Sequence, residues 1–399
     1  MKIDYSLKNK NYNNLSKDLP KGFYTCSKNL GIKDNTLDFT VIFSSRPATA
    51  TAMFTQSRFC GAPISIGKEN LSNGKLQCFA INSKNANVAT GEEGIRNVKE
   101  IINLIGNELD ILPEDILPSS TGVIGQQLPM EKIRKGINNL KFNMTEGGFE
   151  KAAEAIMTTD TYPKIKVSKI GNSTLVGIAK GSGMIEPNMA TMLAYFMTDA
   201  DIPLDTLKSV FKEAVNKSFN MVSVDTDTST SDTAAIMANG LAGDVDLEDF
   251  RKELIYMSTE LAKEIARDGE GATKLLEIIV DESSSFNQAK KVGKSIVNSP
   301  LVKTAIFGTD PNWGRVAMAI GKCEDEDEIT PEKISISFGD ILVYKGQPIN
   351  NVNLQKIKDY LKGDEITIKV SLGLGEERAT VWGCDLSYDY VQINGEYTT

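Results

Sequence analysis

Apolar residues recur at helical spacing through Leu204–Phe219, where Leu204, Leu207, Val210, Phe211, Ala214 and Val215 form one stripe. The same holds through Asp246–Arg267, where Phe250, Leu254, Met257, Leu261 and Ile265 line one face. Asp246, with Asp249 three residues on, reads as the capped start of that second helix. Shorter helices are expected at Glu92–Gly106, Glu131–Leu140, Phe149–Met157, Ser284–Asn298 and Asn353–Leu361. Strand-like runs, many β-branched and bounded by Gly, Pro or Asp, fall at Phe39–Phe43, Ile64–Ile66, Lys164–Ile170 and Thr174–Ala179. Others lie at Leu275–Val280, Ile334–Phe338, Glu365–Ser371 and Ala379–Gly383. Strands and helices are intermixed, so the fold class is α/β or α+β, with no internal repeat.

Composition narrows the chemistry. The 399 residues allow two or three domains, and 41% hydrophobic with 24% charged residues is ordinary globular usage. No apolar stretch approaches the ~20 residues of a membrane span and the start has no signal-type segment, so a cytoplasmic location and no membrane partner are expected. A net charge of -9 argues against nucleic acid. The chain has no histidine. That excludes Ser-His-Asp and Cys-His arrangements, a His base and most catalytic zinc sites. Proton transfer near neutral pH is left to a lysine of lowered pKa, a carboxyl of raised pKa, or an α-amino group, whose ordinary pKa is ~7.7–8.0. Cys26, Cys60, Cys78, Cys323 and Cys384 are scattered and odd in number, which suits reduced thiols. The run Glu324–Glu328 reads as solvated surface, and Gly269–Lys274 lacks the spacing of a phosphate loop.

Three segments carry candidate chemistry. Lys180–Leu193 (Lys-Gly-Ser-Gly-Met-Ile-Glu-Pro-Asn-Met-Ala-Thr-Met-Leu) passes through glycines and a Pro-Asn pair that bar regular structure. It suits either a plain connection between core strands or a place where a strained peptide or exposed nucleophile is held. Ser119–Gly125 offers hydroxyl and amide donors in a glycine-containing turn, the kind that faces a developing oxyanion or simply precedes a helix. The tail, Asn394–Thr399, is either frayed or folded over a pocket, and the imperfect alternation of Tyr388–Ile393 leaves a strand leading into it open.

Lys180–Leu193, Ser119–Gly125, Asn82–Gly91, Thr158–Thr161, Thr309–Arg315 and the Asn-Gly-Glu-Tyr tail together resemble the ornithine acetyltransferases, the glutamate N-acetyltransferases of arginine biosynthesis. The most specific element is Lys-Gly-Ser-Gly-Met followed by Met-Ala-Thr-Met-Leu. The resemblance covers essentially the whole chain and implies paired β-sheets sandwiched between helices, a fold shared with self-processing aminopeptidases. It also implies self-cleavage at Ala190–Thr191, giving an alpha chain (1–190) and a beta chain (191–399), with two copies of each in a heterotetramer. Lys84 stands where that family leads one to expect Gly, so a backbone feature of its loop is expected to differ.

An N-terminal Thr191 removes the need for histidine, because its own α-amine can take the hydroxyl proton. The resemblance then implies ping-pong transfer of acetyl from N-acetylornithine to glutamate, with acetyl-CoA left open as a second donor and no metal or cofactor. Thr121 and Gly122 match the oxyanion pair. Substrate-binding positions fall on Thr158, Lys180, Thr191, Glu270, Asn394 and Thr399, and both substrates carry an α-carboxylate that suits Lys180. The runs Asn220–Thr233 and Thr309–Arg315 are expected to support the site rather than act in it. Weighed beside this are an aminopeptidase or amidase on the same fold and a non-catalytic binding protein.

Overall fold

The computed structural model describes residues 19–33, 35–186 and 192–396. Among them the chain runs β1 (Phe23–Lys28), β2 (Phe39–Phe54), α1 (Ala62–Asn70), β3 (Lys75–Asn82), α2 (Gly91–Leu109), β4 (Ile116–Ser120), α3 (Met130–Ile137), β5 (Thr145–Glu146), α4 (Phe149–Ala155), β6 (Lys164–Ile170) and β7 (Ser173–Lys180). It continues with β8 (Leu193–Asp201), α5 (Leu204–Lys217), β9 (Thr233–Asp244), α6 (Leu247–Arg267), β10 (Leu275–Ser283), α7 (Phe286–Val297), α8 (Pro300–Phe307) and α9 (Trp313–Gly321). The last elements are β11 (Ser335–Phe338), β12 (Ile341–Lys345), α10 (Leu354–Tyr360), β13 (Glu365–Ser371), β14 (Glu377–Cys384) and α11 (Tyr388–Glu396).

Strand β2 organises the first body. Its front half pairs with β1 and β3, its rear half with β9, and the register slips between Phe43 and Ala48, where Pro47 has no N–H to offer a ladder. The strand path β4-β3-β2-β9-β8-β7-β6 therefore folds over on itself. Phe79 of β3 and Tyr195 of β8 stand three places apart along that path, yet their rings are 5.1 Å apart. Ile42, Phe79, Val176, Ile178, Leu193 and Met237 fill the space between the two layers. Helices α1–α3 cover the outer face of β2–β4. Helices α5 and α6 cover the outer face of β6–β9. This is the expected pair of sheets between helical layers.

Asp246 caps α6, its side chain accepting from Glu248 N and Asp249 N. The helix also packs against the second sheet, ordered β12-β11-β13-β10-β14, with Lys263 over the Trp382 ring. Helix α7 closes that sheet's other face. One expectation fails. Ile64–Ile66 is helical, not a strand, because Pro63 starts α1 and turns Ile64, Ile66 and Gly67 inward. The tail segment whose strand character was left open is a helix: α11 has no buried residue, so nothing imposes two-residue alternation on it.

Candidate active site

Strand β7 ends at Lys180, which pairs with Leu193, and Leu193 pairs in turn with Thr233 of β9. The loop following β7 is fastened residue by residue to the Thr158–Thr161 segment. Lys180 Nζ donates to Thr158 Oγ1 at 3.4 Å, Thr159 and Ser182 share a hydroxyl hydrogen bond of 2.6 Å, and Gly181 N donates to Asp160 Oδ1 at 2.6 Å. The other side of the segment holds the turn after α6, where Thr161 donates through its N–H and hydroxyl to Asp268.

Beneath this seam lies a buried ionic triad. Lys164 Nζ sits 2.7 Å from Asp160 Oδ1 and 2.7 Å from Asp268 Oδ2, and all three side chains are essentially out of water. Burial opposes ionisation of Asp160, but Lys164, Lys180 and the Gly181 N–H outweigh it and bring its pKa to about 2. Burial likewise opposes the charge on Lys164, yet the two carboxylates raise its pKa. For Lys180 burial prevails and the pKa is lowered despite Asp160, Asp232 and Glu270.

Glu270 enters from the Asp268 turn, its N–H donating to Ser182 O at 2.8 Å. Its carboxylate packs so close to Gly183 that a Cβ there would lie 2.3 Å from it. The C-terminal helix reaches the same point, with Asn394 Nδ2 donating to Glu270 Oε2 at 2.9 Å and Ser387 Oγ to Gly271 O. Asp225 accepts from Met184 N and Ile185 N, both at 2.7 Å, fixing the loop that leads on from Gly183.

Thr121 and Gly122 form a second cluster. Thr121 N donates to Asn82 O, and Asn85 bridges both Thr121 and Val123. Gly122 takes φ +130°, and a Cβ there would fall 2.3 Å from the Lys84 carbonyl carbon. Lys84 itself takes φ +73°. A lysine thus adopts left-handed backbone where Gly was expected, at a cost on the order of 1–2 kcal/mol. Among the described residues no direct hydrogen bond joins Thr121 or Gly122 to Lys180. Two links hold the clusters together. Ser83 Oγ donates to Ala155 O at 2.7 Å, just ahead of Thr158, while Gly61 N donates to Thr230 O and Ala62 N to Asn87 O. Ala190, Thr191 and Thr399 lie outside the described residues.

The profile of the ArgJ family matches residues 25–399. The chain belongs to the ArgJ family. It is 53% identical over 381 residues to the arginine biosynthesis bifunctional protein ArgJ 2 of Clostridium acetobutylicum, covering 95% of this chain and 98% of that one. It is 47% identical over 385 residues to the glutamate N-acetyltransferase Oat2 of Streptomyces clavuligerus, with coverages of 95% and 98%. Among solved structures, the arginine biosynthesis bifunctional protein ArgJ of Bacillus halodurans is 42% identical, with a TM-score of 0.48, over 50% of this chain and 96% of that one.

Within this member of the ArgJ family, four sequence-derived positions meet at one place: Thr158, Lys180, Glu270 and Asn394. Sequence reasoning missed the triad beneath them. Asp160 was legible only as part of a quoted segment, and neither Lys164 nor Asp268 carries a local signal, since their partnership spans 104 residues. Asp232 was legible only within the Asn220–Thr233 run, which was expected to support the site rather than act in it. It is 5% exposed, and its Oδ2 has no hydrogen-bond partner.

Proposed function

We propose that the protein transfers the acetyl group of N2-acetyl-L-ornithine to L-glutamate through an acetylated Thr191, after cutting itself between Ala190 and Thr191. The observation that carries the reading is the convergence of Lys180, Thr158, Glu270 and Asn394 beside Leu193, two residues along the chain from Thr191.

Lys180 supplies a partly buried cation for the α-carboxylate that both substrates share, and Thr158 lies against its ammonium. Glu270, steered by Asn394, supplies the opposite charge for ornithine's side-chain ammonium. In the self-cleavage step the Thr191 hydroxyl attacks the Ala190 carbonyl, the amide becomes an ester, and water releases residues 1–190 from residues 191–399. The freed α-amine then takes the Thr191 hydroxyl proton when that oxygen attacks the acetyl carbonyl of the donor. Thr121, by its hydroxyl, and Gly122, by its N–H, stabilise the tetrahedral oxyanion. Removing one such donor costs about 10²–10³ in rate. Ornithine leaves, and glutamate's amine takes the acetyl group from the ester. Two copies of each fragment form the working assembly.

The test is intact-mass analysis of the purified protein, followed by an acetyl-transfer assay. The expected result is two chains, the second beginning Thr-Met-Leu-Ala, and acetylglutamate formed from N-acetylornithine, with acetyl-CoA assayed in parallel. Thr191→Ala should give one uncut chain without transfer. An active protein that remains uncut would refute the α-amine mechanism.

A further inference from the structure

Asp232 stands just ahead of Thr233 at the start of β9, where Thr233 N donates to Met192 O at 3.1 Å. Its own carbonyl accepts from Thr55 N at 3.0 Å, which fixes the backbone against the end of β2. The side chain is 5% exposed, and one carboxylate oxygen, Oδ2, is buried without a partner. An unpaired polar atom in such a position carries a desolvation penalty of about 1–3 kcal/mol and calls for an explanation. Burial pushes the Asp232 carboxyl well above the usual carboxylate range, against the pull of Lys180, the Met192 N–H and the Ser229 hydroxyl. The charged group facing Asp232 is Lys180 of β7, around which Asp160, Lys164 and Glu270 are grouped.

We propose that Asp232 is a catalytic residue that holds and returns the proton of the reacting amine. The inference rests on the transfer proposed above. In N-acetylornithine and in glutamate the reacting nitrogen is bonded to the same carbon as the α-carboxylate, so a carboxylate paired with Lys180 brings that nitrogen to the lysine's neighbours. Asp232 is an acceptor there with an oxygen to spare.

The proton account closes over the two half-reactions. In the first, the Thr191 oxygen forms the ester as the donor's C–N bond breaks. The Thr191 hydroxyl proton passes by way of the α-amine to the departing nitrogen, and Asp232, protonated, gives that nitrogen a second proton, so ornithine leaves as an ammonium and Asp232 is left as a carboxylate. In the second, glutamate arrives as an ammonium and Asp232 takes one proton. The neutral amine attacks the ester carbonyl, and a remaining N–H proton returns to the Thr191 oxygen as the C–O bond breaks. Asp232 ends protonated, ready for the next donor, with no outside acid or base consumed.

The experiment compares reactants that need this proton with reactants that do not. Thr191 is acetylated either by N-acetylornithine or by p-nitrophenyl acetate, whose phenolate leaves unprotonated. The acetyl-enzyme is then cleared either by glutamate or by hydroxylamine, an amine already neutral at the assay pH. In Asp232→Asn, acetylation by N-acetylornithine and clearance by glutamate should each slow by about 10²–10⁴, the range of general acid–base catalysis. Acetylation by the ester and clearance by hydroxylamine should keep the parent rates. Equal slowing of all four reactions, or of none, overturns the proposal. If Asp232→Asn is uncut or takes no acetyl group from the ester, Asp232→Glu decides. It should transfer between the amides with a displaced pH optimum, and failure to do so at any pH overturns the proposal. A parent protein that forms no acetylglutamate sinks the proposed transfer itself, a result distinct from any of these.

Discussion

Replacing Lys164 with Met tests the buried triad beneath the candidate site. The side chain keeps its unbranched shape one atom shorter, but Asp160 and Asp268 lose the ammonium that lies 2.7 Å from each. The Asp160 pKa of about 2 in the fold, against its ordinary 3.8, corresponds to about 2 kcal/mol of stability at neutral pH. Breaking a buried pair by removing one partner typically costs 3–5 kcal/mol. A loss of about 3–5 kcal/mol at pH 7, read from urea midpoints, is therefore expected. The pH dependence discriminates further. In the parent, Asp160 has a depressed folded-state pKa, so its contribution is present above about pH 4 and is lost as pH falls toward 2. In Lys164→Met the Asp160 carboxyl is buried without its nearest cation, its folded-state pKa rises above the unfolded one, and stability is lost as pH rises instead. The variant should thus recover part of its deficit between pH 7 and pH 5, where the triad leaves the parent unchanged. A loss under about 1 kcal/mol, or a variant that weakens on acidification through that window, would refute the account.

Gly122→Ala places a Cβ 2.3 Å from the Lys84 carbonyl carbon at φ +130°, so acetyl transfer should fall by at least the ~10²–10³ of one lost oxyanion donor. Gly125→Ala, at φ +82° with open space around it, should cost about 1 kcal/mol of stability and leave kcat near the parent value. Glu270→Gln preserves an acceptor for Asn394 Nδ2 but removes the charge. The specificity constant for N-acetylornithine should drop by the equivalent of roughly 1.5–3 kcal/mol, with a smaller change in the KM for glutamate. An unchanged donor constant would remove Glu270 from the site.

What the sequence disclosed tracks how each element is buried. Helix α6 shows one apolar stripe and an Asp cap, and β13 alternates at the surface of its sheet, so both were read close to their true bounds. Strands β8 and β9 were not, because helices cover one face and the partner sheet the other, which leaves an apolar run with no period. Ile64–Ile66 was too short to tell strand from helix without weighing Pro63. At the site, Lys180, Glu270 and Asn394 were found through motif resemblance, while Lys164 and Asp268 were invisible and Asp232 was legible only within the Asn220–Thr233 run. Their significance comes from desolvation and from partners far along the chain, neither of which leaves a mark on local spacing.

The strand pairing has a consequence for the history of the molecule. Strand β7 pairs with β8 and β2 with β9, so residues before position 190 and residues after 191 are interleaved within one folded-over sheet. A cut at Ala190–Thr191 would leave β8 and β9 in one fragment and the strands on either side of them, β7 and β2, in the other, while the second sheet stays whole in the later fragment. The fragments would be held together by ladders and core made while they were one chain, and contacts such as Thr49↔Ala238 would turn from slow intramolecular closures into encounters between two molecules. The cut form would then last as long as its unfolding barrier holds, with no return path after denaturation, and its durability would be a rate and not an equilibrium.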